Sequence, residues 1–393
     1  MRILAIETSC DETAISILEA KGKLDYPEFS SLSDVILSQI DIHSQYGGVF
    51  PALAKREHSK NIVPLLEKAF SDAKILTKKE EISEDSKKKL SELFSHEEGL
   101  TEKIIEFLEK NGSPDIDTIA VTYGPGLEPA LWVGINVAKA LSTAWNKPLV
   151  PVNHMEGHFA SVLFDKAKNK QNSPPELPAL ALIISGGHTE FIDIKKWGDY
   201  KYLGGTLDDA VGEAFDKVAR MLDLPYPGGP PLSKLAKKSR QEGKENPFVL
   251  PRPMKNSGDL NLSFSGLKTA VLYTVKKETE INEEKKSFIA RAFEDAVADV
   301  LIDKTKKALE KESRRTLIVC GGVSANSFLR QEFLKFGESF GIPVLFPESS
   351  LSTDNACMIA VAAFLVLETR ENKILEGEKE ILELRAEGNK RIE

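Results

Sequence analysis

The sequence is poor in cysteine, in net positive charge and in long apolar runs, and each shortage closes off a class of protein. Its three cysteines, Cys10, Cys320 and Cys357, lie far apart with no C-x-x-C pair. That excludes a disulfide framework or an iron–sulfur centre and points to a reduced compartment. The net charge of −8 argues against general affinity for nucleic acid, which gains free energy from counterion release at basic surfaces. Local basic clusters exist: Lys234, Lys237, Lys238 and Arg240 crowd one segment, with Arg252 and Lys255 in a Pro-rich loop nearby. A solvated face is the simpler reading of each. The longest apolar run, 356–367, is too short to span a bilayer and reads as a buried helix. The start, Met1-Arg-Ile-Leu-Ala-Ile-Glu7, meets a charge too early for a signal peptide. A soluble, cytoplasmic chain without membrane association is expected. At 393 residues it can bury a large core and is expected to form two domains.

Against these shortages stands Pro151-Val-Asn-His154-Met-Glu-Gly-His158. An apolar run, 148–152, ends in two histidines four residues apart, with a helix expected from Phe159 onward. Positions i and i+4 share a helix face, so both imidazoles can point at one cation. The zinc-peptidase signature needs a glutamate directly after the first histidine. Met155 stands there and Glu156 faces away, so a peptidase is disfavoured.

The rest of the chain alternates strand and helix. Short strands at 3–6 and 14–18 flank Glu7-Thr-Ser-Cys-Asp-Glu-Thr13, a loop whose hydroxyls and amides can hold phosphate oxygens and whose Asp11 and Glu12 can hold a cation or its water. After Ser38-Gln-Ile-Asp-Ile-His43 and Tyr46-Gly-Gly-Val-Phe-Pro51, a helix is expected over 52–70. From 71 to about 113 the composition turns Lys/Glu-rich, as in Lys78-Lys-Glu-Glu-Ile, which reads as a helical, exposed and peripheral insertion. Next come a strand at 118–121, the Gly124-Pro-Gly-Leu127 loop, an apolar helix at 131–145 and the strand at 148–152. After a polar linker near 166–175 the plan repeats. Residues 179–184, Ser185-Gly-Gly-His-Thr189 and 190–194 copy the opening strand, loop and strand. Residues 316–319, Gly321-Gly-Val-Ser-Ala-Asn326, a helix at 327–340 and 342–346 copy the strand at 118 with its glycine loop, helix and second strand. Setting Val121 on Val319 puts Gly124 on Gly322.

Two such halves are the pattern of the actin and sugar-kinase type of nucleotide-binding α/β fold, with two lobes around a central cleft. The expected halves are 1–170, carrying the insertion, and 171–370, with 371–393 a charged tail. The duplication brings the segment after Phe346 opposite the histidines. Asp354, otherwise read as the N-cap of the apolar helix, becomes the third ligand. Two imidazoles and one carboxylate leave coordination positions open, which suits one divalent Fe or Zn ion. Asp216 on a helix at 208–222, with Gly228 and Gly229 in Tyr226-Pro-Gly-Gly-Pro230, suits a ribose and base.

Together these stretches, with His154-Met-Glu-Gly-His, Gly212-Glu-Ala-Phe-Asp-Lys, Phe264-Ser-Gly-Leu-Lys-Thr and Thr353-Asp-Asn-Ala, strongly resemble the bacterial tRNA threonylcarbamoyladenosine transferase family, the TsaD proteins once labelled glycoproteases. The resemblance implies that His154, His158 and Asp354 hold the metal. It implies that Ile183, Ile184, Ser185, Gly186, Gly187, Asp216, Gly229 and Asn326 line the adenylate site, with Ser233 nearby. The implied reaction moves the threonylcarbamoyl group from threonylcarbamoyl-adenylate to the exocyclic amine of the adenosine beside the anticodon of ANN-decoding tRNA, releasing AMP. Asp11 or Glu12 is the candidate for orienting that amine. Implied partners are tRNA, a smaller paralogue (TsaB) and a small ATPase (TsaE). The chain departs from the family pattern at Pro51-Ala-Leu-Ala-Lys-Arg56, where the family commonly carries a glutamate at the second position, at the insertion, and at Glu128-Pro129. A stand-alone ATPase or small-molecule kinase of the same fold, and a non-catalytic nucleotide-dependent scaffold, are the alternatives. Phosphate release from ATP alone marks the first; indifference of every activity to metal removal marks the second.

Overall fold

The computed structural model describes residues 1–75, 81–95, 97, 99–165 and 169–392. Lys78, Lys79 and Glu80 of the insertion and 166–168 of the polar linker lie outside the described residues. Contacts divide the chain into two units, Met1–Pro174 with Thr353–Ile392, and Pro175–Ser352.

The first unit is built on a five-stranded sheet of β1 (Arg2–Glu7), β2 (Glu12–Lys21), β3 (Glu28–Ser38), β4 (Thr118–Gly124) and β5 (Leu149–Asn153), in the order β3-β2-β1-β4-β5. β1 pairs antiparallel with β2 and parallel with β4, in the register Ile3 to Thr118. A two-stranded ribbon, β6 (Phe164–Asp165) and β7 (Lys170–Gln171), comes after it. The second unit repeats the plan with β8 (Ala179–Ile184), β9 (Thr189–Lys196), β10 (Asp199–Gly205), β11 (Thr316–Cys320) and β12 (Val344–Leu345), in the order β10-β9-β8-β11-β12. Here β8 pairs antiparallel with β9 and parallel with β11. Two sheets of one order, each with two antiparallel and two parallel pairings, carry the expected duplication and the actin and sugar-kinase-like fold. The third strands, β3 and β10, were not legible in the sequence. Both lie at a sheet edge, where half the residues face water and the apolar alternation fades.

Each unit has its own apolar core, because a sheet face must be covered to be stable. The helix Ala356–Thr369, buried throughout 356–366, packs on β1, β2 and β5. Residues 353–370, expected in the second half, therefore belong with the first, because this helix finds its apolar neighbours there. The insertion also differs from expectation. Its helix Leu100–Lys110 buries Leu100, Ile104, Phe107 and Leu108 in the same core as Phe70 and Trp145, and the Phe70 and Phe107 rings meet edge to face at 5.5 Å. Spacing at 100, 104, 107 and 108 is the amphipathic pattern that the surrounding lysines and glutamates obscured. Nor is the tail merely charged. Leu375 bridges Leu149, and Ile381 is buried.

Helix His154–Ala160 begins at the first histidine, five residues earlier than expected, because the Asn153 side chain caps it by accepting from the Met155 N–H at 2.9 Å. It lies against the Ala356–Thr369 helix at Gly157, where a Cβ would fall 2.9 Å from Ile359 Cδ1 and 3.1 Å from Met358 Cγ. Gly157→Ala is expected to cost about 1–3 kcal/mol through overpacking, read as a lowered urea midpoint at unchanged m-value; a midpoint equal to wild type would contradict the close packing.

Candidate metal and nucleotide sites

The strand and helix that meet at Asn153 place His154 and His158 on one face, with ring centroids 4.7 Å apart and planes at 80°. Asp354 completes the set. The helix Ala356–Thr369 is capped not by Asp354 but by Asn355, whose side chain accepts from the Met358 N–H at 2.8 Å. The carboxylate of Asp354 is thereby free to turn to the rings, with Oδ1 3.4 Å from His154 Nε2 and 3.3 Å from His158 Nε2. One ligand atom from each of the three lies within 4.8 Å of the others.

Behind His154 stands Glu7, fully buried at the end of β1. Its Oε2 lies 3.0 Å from His154 Nδ1 and accepts from the Thr122 hydroxyl at 2.6 Å, while Oε1 accepts from the Ser9 N–H at 2.5 Å. A carboxylate can only accept, so Nδ1 carries the proton and Nε2 faces Asp354. Carboxylate–imidazole pairs of this kind orient metal-binding histidines. Burial acts to raise the Glu7 pKa, but attraction to His154 outweighs it and holds the carboxyl below its ordinary range. Burial opposes charge on His154 too, and Asp354 and Glu7 together carry it well above the usual imidazole value. Asp354 is held well below the carboxylate range by His154 and His158 against the effect of burial. Burial lowers His158.

His158 decides what this cluster suits. Both its ring nitrogens are buried without a hydrogen-bond partner, the 3.3 Å approach of Asp354 to Nε2 lacking hydrogen-bond geometry. An orphaned buried imidazole is costly, and a cation at Nε2 would give the nitrogen that faces Asp354 a partner. Two nitrogens and a carboxylate oxygen fit Zn or Fe(II). Of the other first-unit candidates, Asp11 is buried and Glu12 half-buried. Burial, with the charges of Asp354 and Asp11, pushes the Glu12 carboxyl up to about 9. Its Oε1 accepts from the Ser38 hydroxyl at 3.2 Å.

The expected nucleotide residues gather in the second unit. Ser185 closes a tight turn, its hydroxyl accepting from the His188 N–H at 3.0 Å, and leaves Gly186 and Gly187 exposed with nothing within 4 Å of a would-be Cβ. Asp216 accepts from the Gly228 N–H at 2.7 Å, which sets the Tyr226-to-Pro230 loop, and Gly229 is likewise open. Asn326 Nδ2 donates to Ser233 Oγ at 2.8 Å and to Glu294 Oε1 at 2.7 Å. Ile183 and Ile184 lead into the Ser185 turn. Their side chains are fully buried within β8 and their backbones pair with β9, so they support the Ser185 turn from behind. Sequence reasoning missed Glu7 and Glu294. For Glu7 the available signal was a carboxylate at the end of an apolar stretch, which needs a buried partner; Glu294, beside Asp295, gives no such signal.

A duplicated sheet, with a histidine-histidine-aspartate cluster in one unit and an open glycine turn in the other, places the chain among α/β proteins of the actin and sugar-kinase-like class. Full-length HypF in its phosphate- and nucleotide-bound form shares that fold, with a TM-score of 0.54 at 14% identity over 94% of this chain and 56% of that one. The activator of the 2-hydroxyisocaproyl-CoA dehydratase from Clostridium difficile with bound ADPNP matches at a TM-score of 0.46 and 11% identity, over 95% and 98% of the two chains. The family model for TsaD, tRNA N6-adenosine threonylcarbamoyltransferase, matches residues 30–82 and 94–361. The tRNA N6-adenosine threonylcarbamoyltransferase of Persephonella marina is 44% identical over 368 residues, 93% of this chain and 90% of that protein. The chain belongs to the TsaD family. Among the described residues no helix is long and apolar enough to cross a membrane.

The raised His154 pKa contributes stability that is complete below the ordinary imidazole range and fades as pH climbs through the raised value. The lowered values of Glu7 and Asp354 contribute stability present above the ordinary carboxylate range and lost as pH falls through them. Thermal melts in chelator are therefore expected to give a midpoint that falls on both the acid and the alkaline side of neutrality; a midpoint that keeps rising into alkaline pH would contradict the charged His154.

Proposed function

We propose that this protein transfers the threonylcarbamoyl group from threonylcarbamoyl-adenylate to the exocyclic amine of the tRNA adenosine adjacent to the anticodon. The observation that carries this reading is the His154, His158 and Asp354 cluster, with its orphaned imidazole, in a chain of this family. In the reaction the amine nitrogen bonds to the carbamoyl carbon, the bond from that carbon to the phosphate oxygen breaks, AMP leaves and the amine gives up one proton.

A divalent ion, Fe(II) or Zn, held by His154, His158 and Asp354 would supply Lewis acidity to the acyl transfer. Glu7 orients His154 by fixing its Nδ1 proton. The open backbone at Gly186 and Gly187 suits phosphate oxygens, the Ser185 N–H being taken by the His188 carbonyl, and Asp216 and Gly229 suit the ribose and base. Asn326, held by Glu294, fixes Ser233 beside them. Glu12, a carboxyl kept protonated near neutrality, can donate a hydrogen bond to the substrate, and Asp11 can accept from the amine. The acidic balance of the chain supports sharing the tRNA with protein partners, the smaller TsaB paralogue and the TsaE ATPase of the family pattern.

In a reconstituted system containing tRNA, the adenylate-forming enzyme and these partners, wild-type protein is expected to modify tRNA, with His154→Ala reducing the rate at least about 100-fold. Full transfer by metal-free His154→Ala protein, or ATP turnover by the isolated chain with no tRNA product, would overturn the reading. Because Asp354 and Glu7 favour the charged form of His154 and an ion at Nε2 needs the neutral one, calorimetry in buffers of different ionisation enthalpy is expected to show about one proton released per ion bound near pH 7; binding with no proton release would contradict it.

A further inference from the structure

The segment Ser38-Gln-Ile-Asp-Ile-His43 supplies no ligand to the metal cluster or the nucleotide loops, yet it is tied down with unusual care. Its Gln39 and His43 meet His58 of the helix Pro51–Ala73 in a dry pocket, all three buried. The Nε2–H of His58 donates to the Cys10 carbonyl at 3.0 Å. A carbonyl only accepts, so Nδ1 of His58 is an acceptor, and it receives the Thr13 hydroxyl at 2.7 Å and the Gln39 amide at 3.3 Å. The Gln39 carbonyl oxygen in turn accepts from His43 Nε2 at 3.1 Å, and His43 Nδ1 accepts from the Phe50 N–H at 3.3 Å. Every donor in this chain of bonds meets an acceptor, with both imidazoles neutral. Burial pushes His58 down to about 4, which agrees with a neutral ring.

The two residues that His58 grips, Cys10 and Thr13, bracket Asp11 and Glu12. The Gln39 N–H adds a third grip by donating to the Asp11 carbonyl at 2.9 Å, and Ser38, next to Gln39, donates to Glu12 itself at 3.2 Å. An apolar side chain could fill this pocket but would leave the Cys10 carbonyl and the Thr13 hydroxyl without their His58 partner. What the imidazole adds is direction: two bonds at fixed angles to the two ends of the stretch 10–13, where the loop after β1 enters β2.

We propose that His58, supported by Gln39 and His43, is a positioning residue that holds Asp11 and Glu12 in place for the transfer reaction. This rests on the threonylcarbamoyl transfer proposed above. His58 touches neither substrate nor ion. It acts through the loop that enters β2.

The test uses the full chain in three forms, wild type, His58→Leu and His58→Gln, the last keeping one donor and one acceptor. Hydrogen–deuterium exchange of the peptide spanning 8–14 is expected to rise at least tenfold in His58→Leu and to return toward wild type in His58→Gln, with exchange in β4 and β8 unchanged. In the reconstituted transfer assay, kcat of His58→Leu is expected to fall at least tenfold, with KM for the adenylate and the metal content at wild-type values, and His58→Gln to recover part of it. Unchanged exchange at 8–14 in His58→Leu overturns the proposal. So does a kcat within twofold of wild type despite raised exchange, or a loss in which KM, metal content and exchange across the whole chain move together. A wild-type chain that transfers nothing condemns the functional reading instead, and the exchange at 8–14 still decides whether His58 holds this stretch.

Discussion

The structure depends most on a line of alternating charge in a dry place: Glu7, His154 and Asp354, with contacts of 3.0 and 3.4 Å. Desolvating three ionised groups costs several kcal/mol each unless they satisfy one another. Here they do so with opposite signs in sequence, and the hydroxyl of Thr122 and the amide of Ser9 take the remaining lone pairs of Glu7. What they leave unsatisfied is the fourth member, His158, neutral and without a hydrogen-bond partner. A fold that carries such a group in its core is organised for something that binds there.

The surrounding architecture serves that arrangement. β1 ends at Glu7, β5 ends at Asn153, and the most apolar helix of the chain begins just after Asp354. Parallel β1, β4 and β5 bring two of these ends to one edge of the sheet, as ligand sites in open α/β sheets require. Capping by Asn153 and Asn355 lets His154 and Asp354 point at each other rather than at backbone. The bare Gly157 permits the two helices to approach.

Much of this is legible from residues alone. The histidine spacing, the repeated strand, loop and strand, and the alignment of Val121 on Val319 point to a duplicated fold and to Asp354. Duplication by itself explains Asp354 only in part. The segment from Thr353 packs with the first unit, so the whole cluster belongs to one compact body. Ile183 and Ile184 read in sequence with the loop they precede, although their side chains face the core. Glu7 and Glu294 escape notice because a carboxylate does not announce its partner in the sequence, and those partners lie 147 and 32 residues away. The His58 network is beyond reach for the same reason. Tautomers and buried donors become readable only when both ends of each bond are seen.

X-ray absorption at the metal edge of protein loaded with Zn or Fe(II) decides whether the buried histidine cluster is a metal site. The expected first shell contains two imidazole nitrogens and a carboxylate oxygen at about 2.0–2.2 Å, with multiple-scattering features of two rings. A shell of oxygen alone, or one containing sulfur at about 2.3 Å, would contradict it.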